Sequence, residues 1–236
     1  MPPLRTTLCT AAVVVTLAAP GLGRAADQTV HGQLFVVQGS IRPNKQTILS
    51  TAKEGRSPNT LVGDPTTSGA TLTVTANGAN PTTQTFVLPA GTGVRGRPFW
   101  IGDAARGLFK YRDPKALNGP VKLVILKLRN ATFFVKVLAS GGRNTTIAVV
   151  PPNPGTSACV LLAINGGDSY SVKFGSDSRL VNRGARLFKA IHPPTQGTCV
   201  TTTTSTTIII IPTTTSTTLY GSPSRAFIGK VPGLLD

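Results

Sequence analysis

The sequence predicts an all-β fold: a single β-sandwich or flattened barrel of about eleven short strands, followed by a disordered Thr-rich linker. Three observations carry this. Gly and Pro number 25 and 19 in 236 residues, and only 14% of the chain is charged. Apolar, β-branched stretches recur between turn signals at intervals of roughly eight to fifteen residues. No stretch shows a convincing amphipathic helical period, and good helix formers are thinly spread.

The chain begins with an export signal. Arg5 gives a weak positive region, and Leu8 to Ala19 forms an apolar core too short to span a bilayer. Pro20-Gly21 breaks it, and small residues at Gly23 and Ala25 place cleavage after Ala25, with Ala26 the alternative. The domain boundaries are therefore 1–25 for the signal peptide, 26–199 for the β-rich domain, 200–218 for a Thr/Ile-rich linker and 219–236 for a short tail. Location is expected to be extracellular, cell-surface or periplasmic, with no transmembrane segment.

The strands follow in order. Residues 27 to 36 open the domain as one strand, and Gln46 to Ser50 is the next, before an exposed loop from Lys53 to Asn59. In Gly63-Asp64-Pro65-Thr66 the Asp side chain is expected to bond amides two residues on. Ala70 to Thr75 alternates, with Leu72 and Val74 inward and Thr outward, and Thr85 to Leu88 returns beyond Asn77-Gly78. Val121 to Arg129 and Thr132 to Leu138 fold back on each other with Asn130-Ala131 at the bend. Val121, Leu123 and Ile125 share the inner face, and past Ile125 the phase slips to Leu126 and Leu128, which implies a bulge or double coverage. In the returning strand Phe133, Val135 and Val137 point inward. A charge at Ile125 or Val135 is expected to unfold the domain. Ile147 to Val150, Cys159 to Ile164, Ser169 to Phe174 and Leu187 to Ile191 complete the set.

From Thr201 to Thr218 the chain holds 11 Thr, 2 Ser, 4 Ile and Pro212, an extended linker by composition. Cys159 and Cys199 are the two cysteines left after cleavage. In an exported chain an even pair reads as one disulfide, and two free, buried thiols are the alternative. Closing a loop of about 41 residues is worth roughly 4 kcal/mol in the chain-entropy model.

Several motifs recur in a recognisable order: Gly63-Asp64-Pro65-Thr66, Leu88-Pro89-Ala90, Phe109-Lys110-Tyr111-Arg112-Asp113, Gly119-Pro120-Val121-Lys122, and Tyr170 followed by Phe174-Gly175. With a Cys before a Thr-rich linker, they resemble a group of uncharacterised exported, β-rich proteins of environmental bacteria. The resemblance implies export and an all-β fold, and no activity. It also implies repeated modules joined by Thr-rich linkers, of which this chain has one. The group has a Cys just after the Tyr170 position, where this chain has Ser171 and carries Cys159 instead.

Charge is the strongest functional signal. Without Arg5 and Arg24 the chain keeps 22 basic against 8 acidic residues, a net charge of +14. Such a field attracts anionic polymers. The segment 95–115 concentrates it, and the candidate ligand-binding residues are Arg95, Arg97, Trp100, Arg106, Lys110, Tyr111 and Arg112. Basic groups with interleaved rings suit ion pairing plus stacking, although rings in a strand of this kind also serve as core.

Catalytic machinery is scarce. His31 and His192 stand outside any metal-ligand spacing, and nucleophile-elbow, zincin and phosphate-loop motifs are absent. Asp64, Asp168 and Asp177 read as turn formers. No catalytic residue, metal ligand or cofactor is expected. The leading expectation is an exported, non-enzymatic structural or adhesive module at the cell surface that binds an anionic polysaccharide or other cell-envelope polymer. A secreted hydrolase or carbohydrate-processing enzyme would need His31 or His192 to meet a carboxylate and a hydroxyl. Extracellular nucleic-acid binding would need the basic residues of 95–115 on one face. Oligomeric state is not legible.

Overall fold

The computed structural model of the chain describes residues 25–40, 43–142 and 144–199. The segments that the sequence reading assigns to a signal peptide (up to residue 24), a linker and a tail lie outside the described residues.

Thirteen strands form among the described residues, two more than the turn spacing suggests. They are β1 (Asp27–Thr29), β2 (Gly32–Gln38), β3 (Thr47–Gly55), β4 (Ala70–Gly78), β5 (Thr82–Leu88), β6 (Trp100–Asp103) and β7 (Leu108–Arg112). Then come β8 (Val121–Arg129), β9 (Thr132–Ser140), β10 (Gly155–Ile164), β11 (Ser169–Phe174), β12 (Arg179–Arg183) and β13 (Leu187–Ile191). A five-stranded sheet, β1-β11-β10-β4-β5, packs on an eight-stranded one, β12-β13-β2-β3-β9-β8-β7-β6. The fold is an all-β sandwich.

Alternation explains the packing. Along β9 the inward set Phe133, Val135, Val137 and Ala139 is buried, and along β4 so are Ala70, Leu72, Val74 and Ala76. Aromatic pairs tie the layers together: Phe35 lies 5.7 Å from Phe174, and Phe133 lies 4.8 Å from Tyr170. Such pairs add about 0.5–1.5 kcal/mol beyond their buried area.

The β8–β9 hairpin turns where the sequence placed it. Asn130 and Ala131 both take positive φ, 50° and 52°, the two-residue geometry that matches strand twist. Asp64 caps the single helical turn α1 (Pro65–Ser68), its carboxylate accepting from Thr66 N at 2.8 Å. That is the side-chain contact two residues on that the motif implied.

Four details differ from the sequence reading. The bulge in β8 falls between Val121 and Leu123, earlier than expected. Val124 and Leu126 therefore face the core, and Ile125 faces outward between Lys110 and Lys136. Residues 27 to 36 do not form one strand. β1 pairs with β11 and β2 with β3 and β13, so the chain changes sheet around Val30, whose N–H still bonds Ser171 O. Gly32 permits the crossing, since a Cβ there would lie 2.7 Å from the Phe174 ring.

Ile147 to Val150 alternates as predicted, with Ile147 and Val149 buried, but it is not a strand. It runs beside β5 and bonds to side chains instead of backbone: Ala148 N donates to Gln84 Oε1 at 2.7 Å and Val150 N to Thr82 Oγ1 at 3.2 Å. Finally, β3 continues to Gly55, so Lys53 belongs to a strand and not to a loop.

Cys159 and Cys199 form a disulfide-compatible pair with Cα atoms 5.7 Å apart. The second cysteine thereby brings the end of the described chain back to β10.

Candidate anion-binding face

Of the candidates in segment 95–115, the rings and the cations part company. Trp100 and Tyr111 are 2% and 1% exposed and pack against each other in a tilted pair with centroids 5.2 Å apart. Trp100 Nε1 donates to Leu88 O at 3.2 Å, across to β5. Both rings are core, so neither presents a face to a sugar or base, and their expected stacking role is withdrawn. The physical reason is strand parity: Phe109 and Tyr111 point inward on β7, which turns Lys110 and Arg112 outward.

The cations do not form one patch by themselves. Lys110 and Arg112 lie on the outer face of the eight-stranded sheet. Arg106 sits in the β6–β7 turn, where Asp103 accepts from its backbone N at 2.7 Å and pairs with its Nε at 3.3 Å. It is therefore partly neutralised and serves the turn. Arg95 and Arg97 are exposed in the segment leading to β6, Arg95 at φ 63° in a tight turn. Arg97 and Arg112 meet with Lys115 at a cleft of about 280 Å³, whose apolar wall is Val94, Ile101 and Leu117. Those three are 54%, 47% and 54% exposed, an unusual concentration of open apolar surface at one sheet edge. The buried Asp113 fixes the cleft's loop, accepting from Asn118 N at 2.8 Å.

The larger feature is one that reading segment 95–115 alone misses. The outer face of the eight-stranded sheet is cationic along most of its width. β12 brings Arg179 and Arg183, β13 Lys189, β3 Lys53, β9 Lys136, β8 Lys127 and Arg129, and β7 Lys110 and Arg112. Register places them in rows across the sheet. One row runs Lys136, Ile125, Lys110, and the next runs Lys53, Phe134, Lys127, Leu108. Neighbouring strands stand about 4.8 Å apart, so the two lysines of each row are roughly 10 Å apart with an apolar side chain between them. Asp103, already paired with Arg106, is the acid on this face.

The other sheet is different in kind. Its outer face carries Thr ladders, Thr73 against Thr85 and Thr75 against Thr83, each with hydroxyl oxygens 3.0 Å apart. Lys173 is the one Lys or Arg on its five strands. Between the strands of the two sheets the positive charge is thus one-sided, and the signal for this in the sequence was the phase of Lys127, Arg129 and Lys136 against the apolar positions.

The histidines do not assemble a site. Among the described residues neither imidazole has a hydrogen bond or ion pair; only their backbones do, with Lys53 N donating to His31 O and His192 N to Gln33 O. No group of three or more His, Cys, Asp or Glu that could hold a metal ion occurs among the described residues, and no helix among them is long and apolar enough to cross a membrane.

The buried phenols give this domain a defined alkaline limit. Burial, with the Asp113 charge adding and an Asn118 hydrogen bond opposing, pushes Tyr111 up to about 12. Burial first, then Asp168, raises Tyr170 in the same direction. Unfolded phenols ionise near 10, at about pH 10. Above that the unfolded chain binds fewer protons than the folded one, so stability falls as pH rises from about 10 through the folded values. An alkaline titration should show phenolate absorbance of these two among the chain's three tyrosines appearing together with loss of strand dichroism. Full phenolate development in a still-folded protein would contradict their placement.

Matched against protein-family models, curated proteins and solved structures, the chain finds no counterpart in any of the three. The site therefore stands on its own geometry.

Proposed function

We propose that this is an exported, non-enzymatic module, structural or adhesive at the cell surface, which holds an anionic polysaccharide or other anionic envelope polymer across its eight-stranded sheet. One observation carries the reading: the cations lie in rows on one face, and the opposite face is neutral and hydroxyl-rich. A polymer laid across the strands meets, in each of the two rows, a pair of lysines roughly 10 Å apart with an apolar side chain between them. The cleft at Arg97, Arg112 and Lys115 continues that path at the β6 edge.

Export is supported by the apolar leader and by the disulfide-compatible Cys159–Cys199 pair. Nucleic acid is the weaker ligand class, because the rings of segment 95–115 are buried and cannot stack on bases. Among the described residues neither histidine is hydrogen-bonded or ion-paired to a carboxylate, which favours the binding reading over a histidine-based hydrolase.

The test is retention of the mature protein on an acidic polysaccharide matrix and on its neutral counterpart, at low and high salt. Binding to the acidic matrix alone, lost at high salt, is the expected result. Equal retention on both, or none on either, sinks the reading.

A further inference from the structure

Asp168 is the charged group the proposed function leaves unused. It is 0% exposed in a chain with few acids, and no Lys or Arg pairs with it among the described residues. Burying an unpaired carboxylate is costly. The sequence suggests a turn former, yet the carboxylate collects donors from distant places. Ala26 N donates to Oδ1 at 2.9 Å, and Val62 N and Thr60 Oγ1 donate to Oδ2 at 2.7 and 2.8 Å. The Tyr170 hydroxyl stands 3.4 Å from Oδ2. The other ionisable group beside Ala26 is Asp27, whose carboxylate accepts from Ser169 Oγ.

The Ala26 contact matters because of where the sequence puts cleavage. The leader allows cutting after Ala25 or after Ala26. The structure separates these. Ala26 is part of the sheet edge, its carbonyl accepting from Ser169 N at 2.9 Å while its nitrogen reaches Asp168. Cutting after Ala26 would delete both bonds; cutting after Ala25 keeps both and changes only the donor.

We propose that the Ala25–Ala26 bond is the processing site and that Asp168 is the built receptor for the α-ammonium released there. Hydrolysis by a leader peptidase adds one water: its oxygen forms the Ala25 carboxylate, and the Ala26 nitrogen takes up protons to become –NH₃⁺. The amide donor at 2.9 Å is thereby replaced by a cationic one, which adds an ion pair to a bond that the carboxylate already charge-assists. The buried charge gains its missing partner only in the mature chain, so removal of the leader locks the N-terminus onto the β10–β11 turn and the loop at Thr60 and Val62. The inference rests on the export reading alone and is independent of the ligand.

The experiment uses the full chain exported in a bacterial host, with intact mass to locate its first residue. Alongside it stand chains made to begin at Ala25, Ala26 or Asp27, each with Asp168 and with Asp168→Asn. The exported protein should begin at Ala26. The Ala26 form should melt highest, by at least about 3 °C, the shift expected of a modest gain in a domain this size. A paired α-ammonium titrates above the ordinary α-amine range of about 7.7–8.0, so this advantage should be complete below about pH 8 and fade as pH rises through the folded value. In Asp168→Asn the Ala25 and Ala26 forms should converge, with the Asp27 form still lower because it lacks the Ala26 carbonyl that accepts from Ser169 N.

If that variant does not fold, the pH dependence of Ala26 amine acylation in the wild-type protein gives the same answer: a midpoint above the free-amine range supports the pairing, and an ordinary one overturns it. A first residue other than Ala26, or equal melts for the Ala25 and Ala26 forms, also overturns it. A chain kept in the cytoplasm and still beginning at Met1 would remove the export reading as well, whereas an ordinary N-terminus on a correctly cut chain removes this inference alone.

Discussion

Val124→Asp is expected to abolish the cooperative thermal melt, whereas Ile125→Asp, one residue on, is expected to preserve it. The contrast follows from the bulge between Val121 and Leu123. Val124 is 0% exposed and pairs with Val137 and Tyr111, both inward-facing and buried. A carboxylate there has no cation within the core, and an unpaired buried charge costs several kcal/mol on top of the lost apolar burial. That is comparable with the whole stability of a domain, about 5–15 kcal/mol. Ile125 lies between Lys110 and Lys136 on the outer face, so a carboxylate there gains two neighbouring cations. The measurement is differential scanning calorimetry of both variants beside the parent. A cooperative melt in Val124→Asp, or none in Ile125→Asp, would place the core on the other face of β8.

That pair of residues also marks how far the sequence could be read. Periodicity of two identified most strands and the inward set on β9, because a single buried face leaves a strong alternating signal. It failed at β8 because a bulge shifts the phase by one residue, and Leu123, Ile125 and Leu128 are apolar on either assignment. It also failed at residues 27 to 36, where one apolar run serves two sheets in succession, and at β12, whose Arg179-Leu180-Val181-Asn182-Arg183 is too polar to stand out. Ile147 to Val150 shows the reverse error: alternation was right, but backbone pairing was taken over by the side chains of Thr82 and Gln84.

For the site, composition gave the net charge and local spacing gave a segment. Neither could give a face, because Lys53, Lys127 and Lys136 come from three strands and become neighbours only through register. The ambiguity over Trp100 and Tyr111 was likewise physical. A ring beside an arginine in sequence lies on the opposite side of a strand. The Ala26–Asp168 contact spans 142 residues and carries no local signal at all.

Reversing three lysines of the outer face, Lys110→Glu, Lys127→Glu and Lys136→Glu, is expected to lower affinity for an acidic polysaccharide by about 100-fold at low salt. Each close charge pair is worth about 1 kcal/mol in water, and reversal replaces attraction with repulsion. Screening and side-chain freedom reduce the total to roughly 3 kcal/mol, which is about 100-fold. Folding should be unaffected, because the three side chains pair across the strands with Ile125, Leu108 and Phe134 and lie on the solvent face, away from the buried inward set. The informative comparison is Thr71→Glu, Thr75→Glu and Thr85→Glu on the five-stranded sheet, which lowers net charge by half as much on the neutral side. If net charge alone governed binding, that variant would lose about tenfold, half the effect in free energy. If the rows of lysines are the contact, it loses much less. Affinity measured by titration calorimetry at two salt concentrations separates the outcomes, and a loss that follows net charge irrespective of face would reduce the site to a diffuse field.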